Sequence, residues 1–234
     1  RSIMANRAER IAKVAGNARS SWVLSYGDTV TLLICFFIMM ITVRAGQINK
    51  VHAWVNDRLD EAATEVQEVM NSAGIEEISV SRNSKGVQIT LDDPRLFEVA
   101  SAQPRNTHLY QLDAVATSIR NLHIFHLLDT EHASFLKELE SSGLRWLVEI
   151  RIEGHTDNMP LTRNALYRDN WELSAARAQS IMIQLQERTE LSASIFAIGG
   201  FGEFQPIGDN TTQAGREINR RVEIFIGASL VQSL

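Results

Sequence analysis

The sequence has little of three things that usually mark a secreted, catalytic or multispan chain. Among its 234 residues there is one cysteine, Cys35, so no intrachain disulfide is possible and cysteine spacing carries no metal or redox motif. There is no basic surplus either: 23 Lys and Arg stand against 28 Asp and Glu, for a formal charge of −5, which argues against a general nucleic-acid surface. Long apolar runs are also lacking, except for Trp22–Val43; no second stretch approaches the roughly 20 residues needed to cross a bilayer. Ser/His/Asp and Cys/His arrangements in motif context, internal repeats and low-complexity tracts are missing as well. Gly199-Gly-Phe-Gly202 lacks the Gly-Lys-Ser/Thr ending of a phosphate loop and the spacing of a dinucleotide fingerprint. An enzyme is therefore not expected.

What is present begins with that single span. Arg1, Arg7, Arg10, Lys13 and Arg19 precede it against Glu9 alone, a bias that favours a cytoplasmic N-terminus and puts everything after Val43 across the membrane. A cleaved signal peptide is the competing reading. It fits poorly, because the run exceeds a 7–15-residue signal core and Arg44, not a small-residue cleavage site, comes next.

Inside the span sits Asp28, where an ionisable side chain costs about 2.5–3.5 kcal/mol on insertion scales. At helical spacing Ser21, Ser25, Asp28, Thr31 or Leu32, and Cys35 share one narrow stripe, while Leu24, Leu33, Phe36, Phe37, Met39 and Met40 cover the other faces. Asp28 is either a fixed counter-ion for a cation on another subunit or a carrier that alternates between loaded and free. The chain holds no intramembrane Lys or Arg, which favours the carrier. One helix cannot enclose an ion path, so partner subunits must supply the other wall.

Beyond Val43, apolar residues Ile48, Val51, Val55, Leu59, Ala62, Val66, Val69 and Ala73 succeed one another at steps of three or four. The pattern predicts a helical stalk over 44–77. It reads as a parallel dimer seam with one irregular step, or else as an amphipathic helix folded onto its own domain; the seam is favoured because span and helix could run on continuously. About thirty residues at 1.5 Å each would project the next domain some 45 Å from the membrane. Residues 78–234 read as α/β: strands at 86–91, 146–152, 194–199 and 221–226, and helices at 109–122, 129–139 and 173–188, with helices packed on one side of a mixed sheet. His123, His126, Asp129 and His132 are spaced at three. Solvated histidines on an inserted helix are favoured over a metal site.

Two groups of motifs carry a resemblance. Ile152-Glu-Gly-His-Thr-Asp157, Asn170-Trp-Glu-Leu-Ser-Ala-Ala-Arg177-Ala, Gly199-Gly-Phe-Gly-Glu203 and Asn219-Arg-Arg-Val222 together resemble the OmpA-like peptidoglycan-binding domain. The variant Gly-His-Thr-Asp-Asn-Met-Pro, with Trp22 through Asp28, Thr31-Leu-Leu and Phe36-Phe37, is similar to the MotB/PomB family of stator B subunits. The resemblance implies a pocket for the zwitterionic end of diaminopimelate. Asp157 would accept from its ammonium and Arg177 would clamp its carboxylate, with Thr156, Asn170 and Leu173 lining the pocket and Arg220 supporting it. His155 would be structural.

The same resemblance implies an inner-membrane, single-pass motor subunit with its C-terminal domain in the periplasm. It would carry H+ or Na+ at Asp28, need no cofactor, and form a homodimer inside a MotA/PomA/ZorA-type multispan partner at 5:2. Output would be flagellar torque or Zorya-type phage defence. A static wall anchor without ion flow is the alternative. Departures from the family are the missing plug and long linker after the span, and the extra Leu122–Leu144 segment.

Overall fold

The computed structural model describes residues 2–127, 132–163 and 165–232, the side chains of 2–21 and 44–49 excepted. The basic residues before the span, Ser21, Arg44, Ile48 and Asp129 therefore lie outside the described side chains. Two compact units emerge, Arg1–Trp54 and Val55–Leu234.

The first unit is helical. It belongs to α1 (Ser2–Ala73) and contains the Trp22–Val43 segment, whose length and mean hydropathy of 1.9 are enough to cross a membrane and of which nothing is buried within the chain. Thr29 and Thr31 return their hydroxyls to the helix's own carbonyls, donating to Ser25 at 2.9 Å and Gly27 at 2.7 Å. Those hydroxyls need no partner from lipid.

In the second unit, β1 (Ile78–Asn83), β2 (Gly86–Leu91), β3 (Leu144–Gly154), β4 (Phe196–Gly200) and β5 (Val222–Gln232) form one sheet in the order β1-β2-β5-β3-β4. All neighbours are antiparallel except β3 and β4. Register sets Ile89, Ile224 and Ile152 in one row and Val87, Ile226 and Ile150 in the next, all with no exposure. The alternate positions read Thr90, Glu223, Glu153 and Gln88, Phe225, Arg151. A period of two thus gives the sheet one apolar face and one largely polar face.

Helices cover the apolar face: α4 (Asn170–Thr189) packs on β3 and β4, α2 (Leu109–Asn121) on α4, and α3 (Ala133–Ser141) on β3. Gly154 explains how closely α4 approaches, since a Cβ there would lie 2.0 Å from the Ser174 carbonyl oxygen. The sequence reading missed β1, which alternates weakly, and the seven-residue α5 (Gln213–Asn219).

The expected dimer seam behaves otherwise from Val55 onward. Val55, Leu59, Ala62, Val66 and Met70 are buried within the chain itself, at 9, 5, 2, 0 and 1% exposure, while Val69 is only half-buried and Ala73 exposed. Polar ties fasten the same helix to its own domain. Asp60 and Asn56 accept from Arg82 of β1 at 2.9 Å each, Glu65 pairs with His123, and Arg58 lies 3.0 Å from the His132 ring nitrogen. The stripe over 55–70 is thus the face of an amphipathic helix folded onto the domain, the less favoured of the two readings. Period alone does not say whose surface fills the other side of a seam. The inserted segment bearing His123 and His132 supplies part of that surface.

Candidate functional site

The candidate site gathers where β3 ends, α4 begins and α5 runs into β5. Asp169 caps α4 by accepting from Glu172 N at 2.8 Å, and the Glu172 carboxylate reaches back to Arg168 N at 2.7 Å. The first bond satisfies a donor that the first turn leaves open, and the second ties down the residue before the cap. The start of α4 is thereby fixed, and Asn170 with it.

Asn170 Nδ2 donates to the Asp157 carbonyl (3.2 Å), the Met159 carbonyl (3.0 Å) and Glu203 Oε2 (3.0 Å). It ties the loop after β3 to the loop after β4. The Asp157 carboxylate accepts from Met159 N at 3.1 Å and from Arg220 Nη1 at 2.7 Å. Arg220 is delivered by the residue before it: Asn219, fully buried, accepts from Ile207 N and Gly208 N and donates to the Gly208 carbonyl, pinning the loop that ends in α5.

Arg177 is 5% exposed. Its Nε donates to the Ser101 carbonyl at 2.9 Å and its guanidinium lies 4.8 Å from the centre of the Phe97 ring. Burial pulls its pKa down to about 10, Arg220 adds to the fall, and Asp157 opposes it. Asp157 and Arg177 therefore do not pair with one another as two surface charges would; each has its own partner. Thr156 is 4% exposed, with its hydroxyl lacking a partner among the described residues, and Leu173, at 3%, is buried beneath the first turn of α4. Asp28 belongs to the first unit and is exposed on α1.

Sequence reasoning missed the segment that holds Arg177. Phe97 bridges to Pro104, and between them Ala100 adopts φ +57°, a conformation that L side chains rarely take. Nothing in Phe-Glu-Val-Ala-Ser-Ala signals a turn of that kind.

His155, placed as structural, is 1% exposed and stacks on Phe201 with ring centres 5.3 Å apart. Burial, then Arg221, then Lys85 push its pKa down to about 3, so the ring is neutral. Glu153 and Glu223 face each other across the strands beside it, within ligand reach of one metal ion. Arg221 already donates to Glu223 at 2.6 Å and Lys85 lies 3.8 Å from Glu153, so both carboxylates are neutralised by side chains. The inserted histidines diverge. His123 pairs with Glu65, His126 bonds the Arg120 carbonyl, and His132 meets Arg58.

Fold and site define a class: an OmpA-like domain carried behind a single apolar span. Residues 128–220 match the OmpA family, and residues 6–56 match a family described as membrane MotB of the proton-channel complex MotA/MotB. An uncharacterized Bacillus subtilis protein, YtxE, is 28% identical over 97% of this chain and 98% of its own length. Motility protein B of Bacillus subtilis is 30% identical over 73% of this chain, which spans 56% of that protein. The crystal structure of a MotB-like protein from Desulfovibrio vulgaris shares the fold, with a TM-score of 0.57 at 20% identity over 76% of this chain and 94% of that one. The chain is thus similar to MotB-type proteins in its membrane segment and to the OmpA family over residues 128–220. One N-terminal apolar helix with such a domain fits an inner-membrane, single-pass protein.

Proposed function

We propose that this chain conducts H+ or Na+ through the membrane at Asp28 and anchors its complex to peptidoglycan, with the N-terminus cytoplasmic and the OmpA-like domain periplasmic. The observation that carries the reading is a carboxylate on a span that buries nothing against its own chain. A polar stripe of this kind needs walls from elsewhere. A MotA-type multispan partner supplies them, with two B subunits inside five A subunits. Asp28 then accepts the ion from one side as a carboxylate, carries it neutralised, and releases it on the other.

At the wall, a diaminopimelate end offers one ammonium and one carboxylate. The ammonium donates to Asp157, which it shares with Arg220, while the carboxylate accepts from guanidinium N–H groups of Arg177 and Arg220 other than those already given to Ser101 and Asp157. Burial of Arg177 strengthens that contact, because charge pairs are screened less away from water. Because the Phe97–Pro104 segment fixes Arg177, little side-chain freedom is lost on binding.

The test separates the two halves. Asp28→Asn should abolish ion conduction and leave binding to purified sacculi intact; Asp157→Asn combined with Arg177→Gln should release the sacculi and leave ion conduction intact. Full motor output from Asp28→Asn would leave a static wall anchor as the function. The output itself, flagellar torque or Zorya-type phage defence, is read from the genes co-transcribed with this one.

A further inference from the structure

Trp171 and Phe204 have no part in the Asp157 pocket, yet they form its most conspicuous apolar neighbour. Their rings lie 5.3 Å apart, tilted by 49°, and remain 53 and 67% exposed. A contacting pair of aromatics left in water is the kind of patch that marks a binding surface.

The backbone holds both rings in place. Trp171 comes directly after Asn170 and Phe204 directly after Glu203, and the Asn170–Glu203 hydrogen bond joins those two residues at 3.0 Å. Gly202, at φ +53°, turns the loop after β4 against the start of α4; its N–H donates to Ser174 Oγ at 2.9 Å and its carbonyl accepts from Thr156 N at 2.9 Å. Through Asn170 the same assembly reaches the backbone of Asp157. Pocket and aromatic pair are one preorganised unit.

We infer that Trp171 and Phe204 form a carbohydrate-stacking platform that takes the C–H face of a pyranose ring of the glycan strand. The inference rests on the peptidoglycan reading of the Asp157 pocket. Continuity chooses the occupant: a stem peptide seated in the pocket is covalently attached to a sugar chain, which must then pass over the neighbouring surface. A pyranose ring matches what is there, presenting an apolar face to an aromatic ring while its hydroxyl edge stays wet. Half-buried Glu203 directly precedes Phe204, and exposed Arg168 comes three positions before Trp171; both carry groups able to bond that edge.

The full chain in detergent micelles tests this with two probes: soluble glycan strands stripped of peptide by an amidase, and the free stem peptide ending in diaminopimelate. Trp171→Ala and Phe204→Ala should each weaken glycan-strand binding about tenfold, the size expected of an aromatic anchor, and leave peptide binding unchanged. Trp171→Phe should restore most of the loss. Asp157→Asn should lose the peptide and keep the strands. Unchanged glycan binding in the alanine variants overturns the inference, as does an equal loss of both probes, which would mean a structural role. Sedimentation of the same variants adds a third arm: a dimer turned to monomer at constant glycan affinity makes a second copy the occupant and refutes the platform. Failure of wild type to bind the peptide would instead refute the pocket reading.

Discussion

Leu59→Ala distinguishes a helix folded on its own domain from a helix waiting for a second copy. Leu59 is 5% exposed, between Val55 and Ala62 on the buried stripe. Core Leu→Ala changes cost about 2–5 kcal/mol, and the lower half of that range applies where an outer helix can settle into the gap, giving roughly 2–3 kcal/mol here. For a unit of 150–250 residues each kcal/mol moves Tm by about 2–4 °C, so the transition of the second unit should fall by roughly 8 °C. The assay is thermal unfolding of the full chain in detergent over a hundredfold range of concentration. Folding onto the domain predicts a fall independent of concentration, because the lost contacts lie within one chain. An unchanged Tm with a lost dimer, or a Tm of the wild type that climbs with concentration through this segment, would refute the assignment.

Two further outcomes concern the sheet. Gly154→Ala places a Cβ 2.0 Å from the Ser174 carbonyl, so α4 must move off β3; a loss of about 3 kcal/mol or more in urea unfolding is expected, with sacculus binding weakened, because Asn170 and Arg177 ride on that helix. His155 gives a pH dependence. Its folded pKa, about 3, lies below its ordinary 6.5, so on acidification the unfolded chain takes up a proton that the folded chain refuses. Stability is full above pH 6.5 and declines as pH falls from 6.5 towards 3, by at most about 1.4 kcal/mol per unit. Burial raises the pKa of Glu153, and its proton uptake in the folded chain opposes the decline. Urea titrations at pH 6.5 and 5 should therefore show a larger loss of stability in wild type than in His155→Gln, which keeps the Glu153 contribution.

How legible the molecule is in its sequence varies with the range of the interaction concerned. Strands β2, β3 and β5 and helices α2 and α4 repeat at two or at three and four residues, and each is legible because the period reports a buried face directly. Strand β1, with a serine at two of its six positions, alternates too weakly to stand out, and its place comes from pairing with β2. The pocket residues can be named from motifs, but their partners cannot. That Asp157 takes Arg220, and Arg177 the carbonyl of Ser101, depends on contacts 63 and 76 positions apart in the chain.

The sequence by itself determined one apolar run long enough to cross a membrane, the carboxylate within it, the period of every strong element and the residue types of the candidate site. These are local properties, written in spacing and side-chain chemistry. Only the tertiary structure decided that the stripe from Val55 to Met70 belongs to the domain and not to a dimer seam, that Arg220 shares the Asp157 carboxylate, and that Trp171 and Phe204 meet beside the pocket. Each depends on which distant surface arrives opposite a face, and a one-dimensional pattern specifies that a face must be covered without specifying by what.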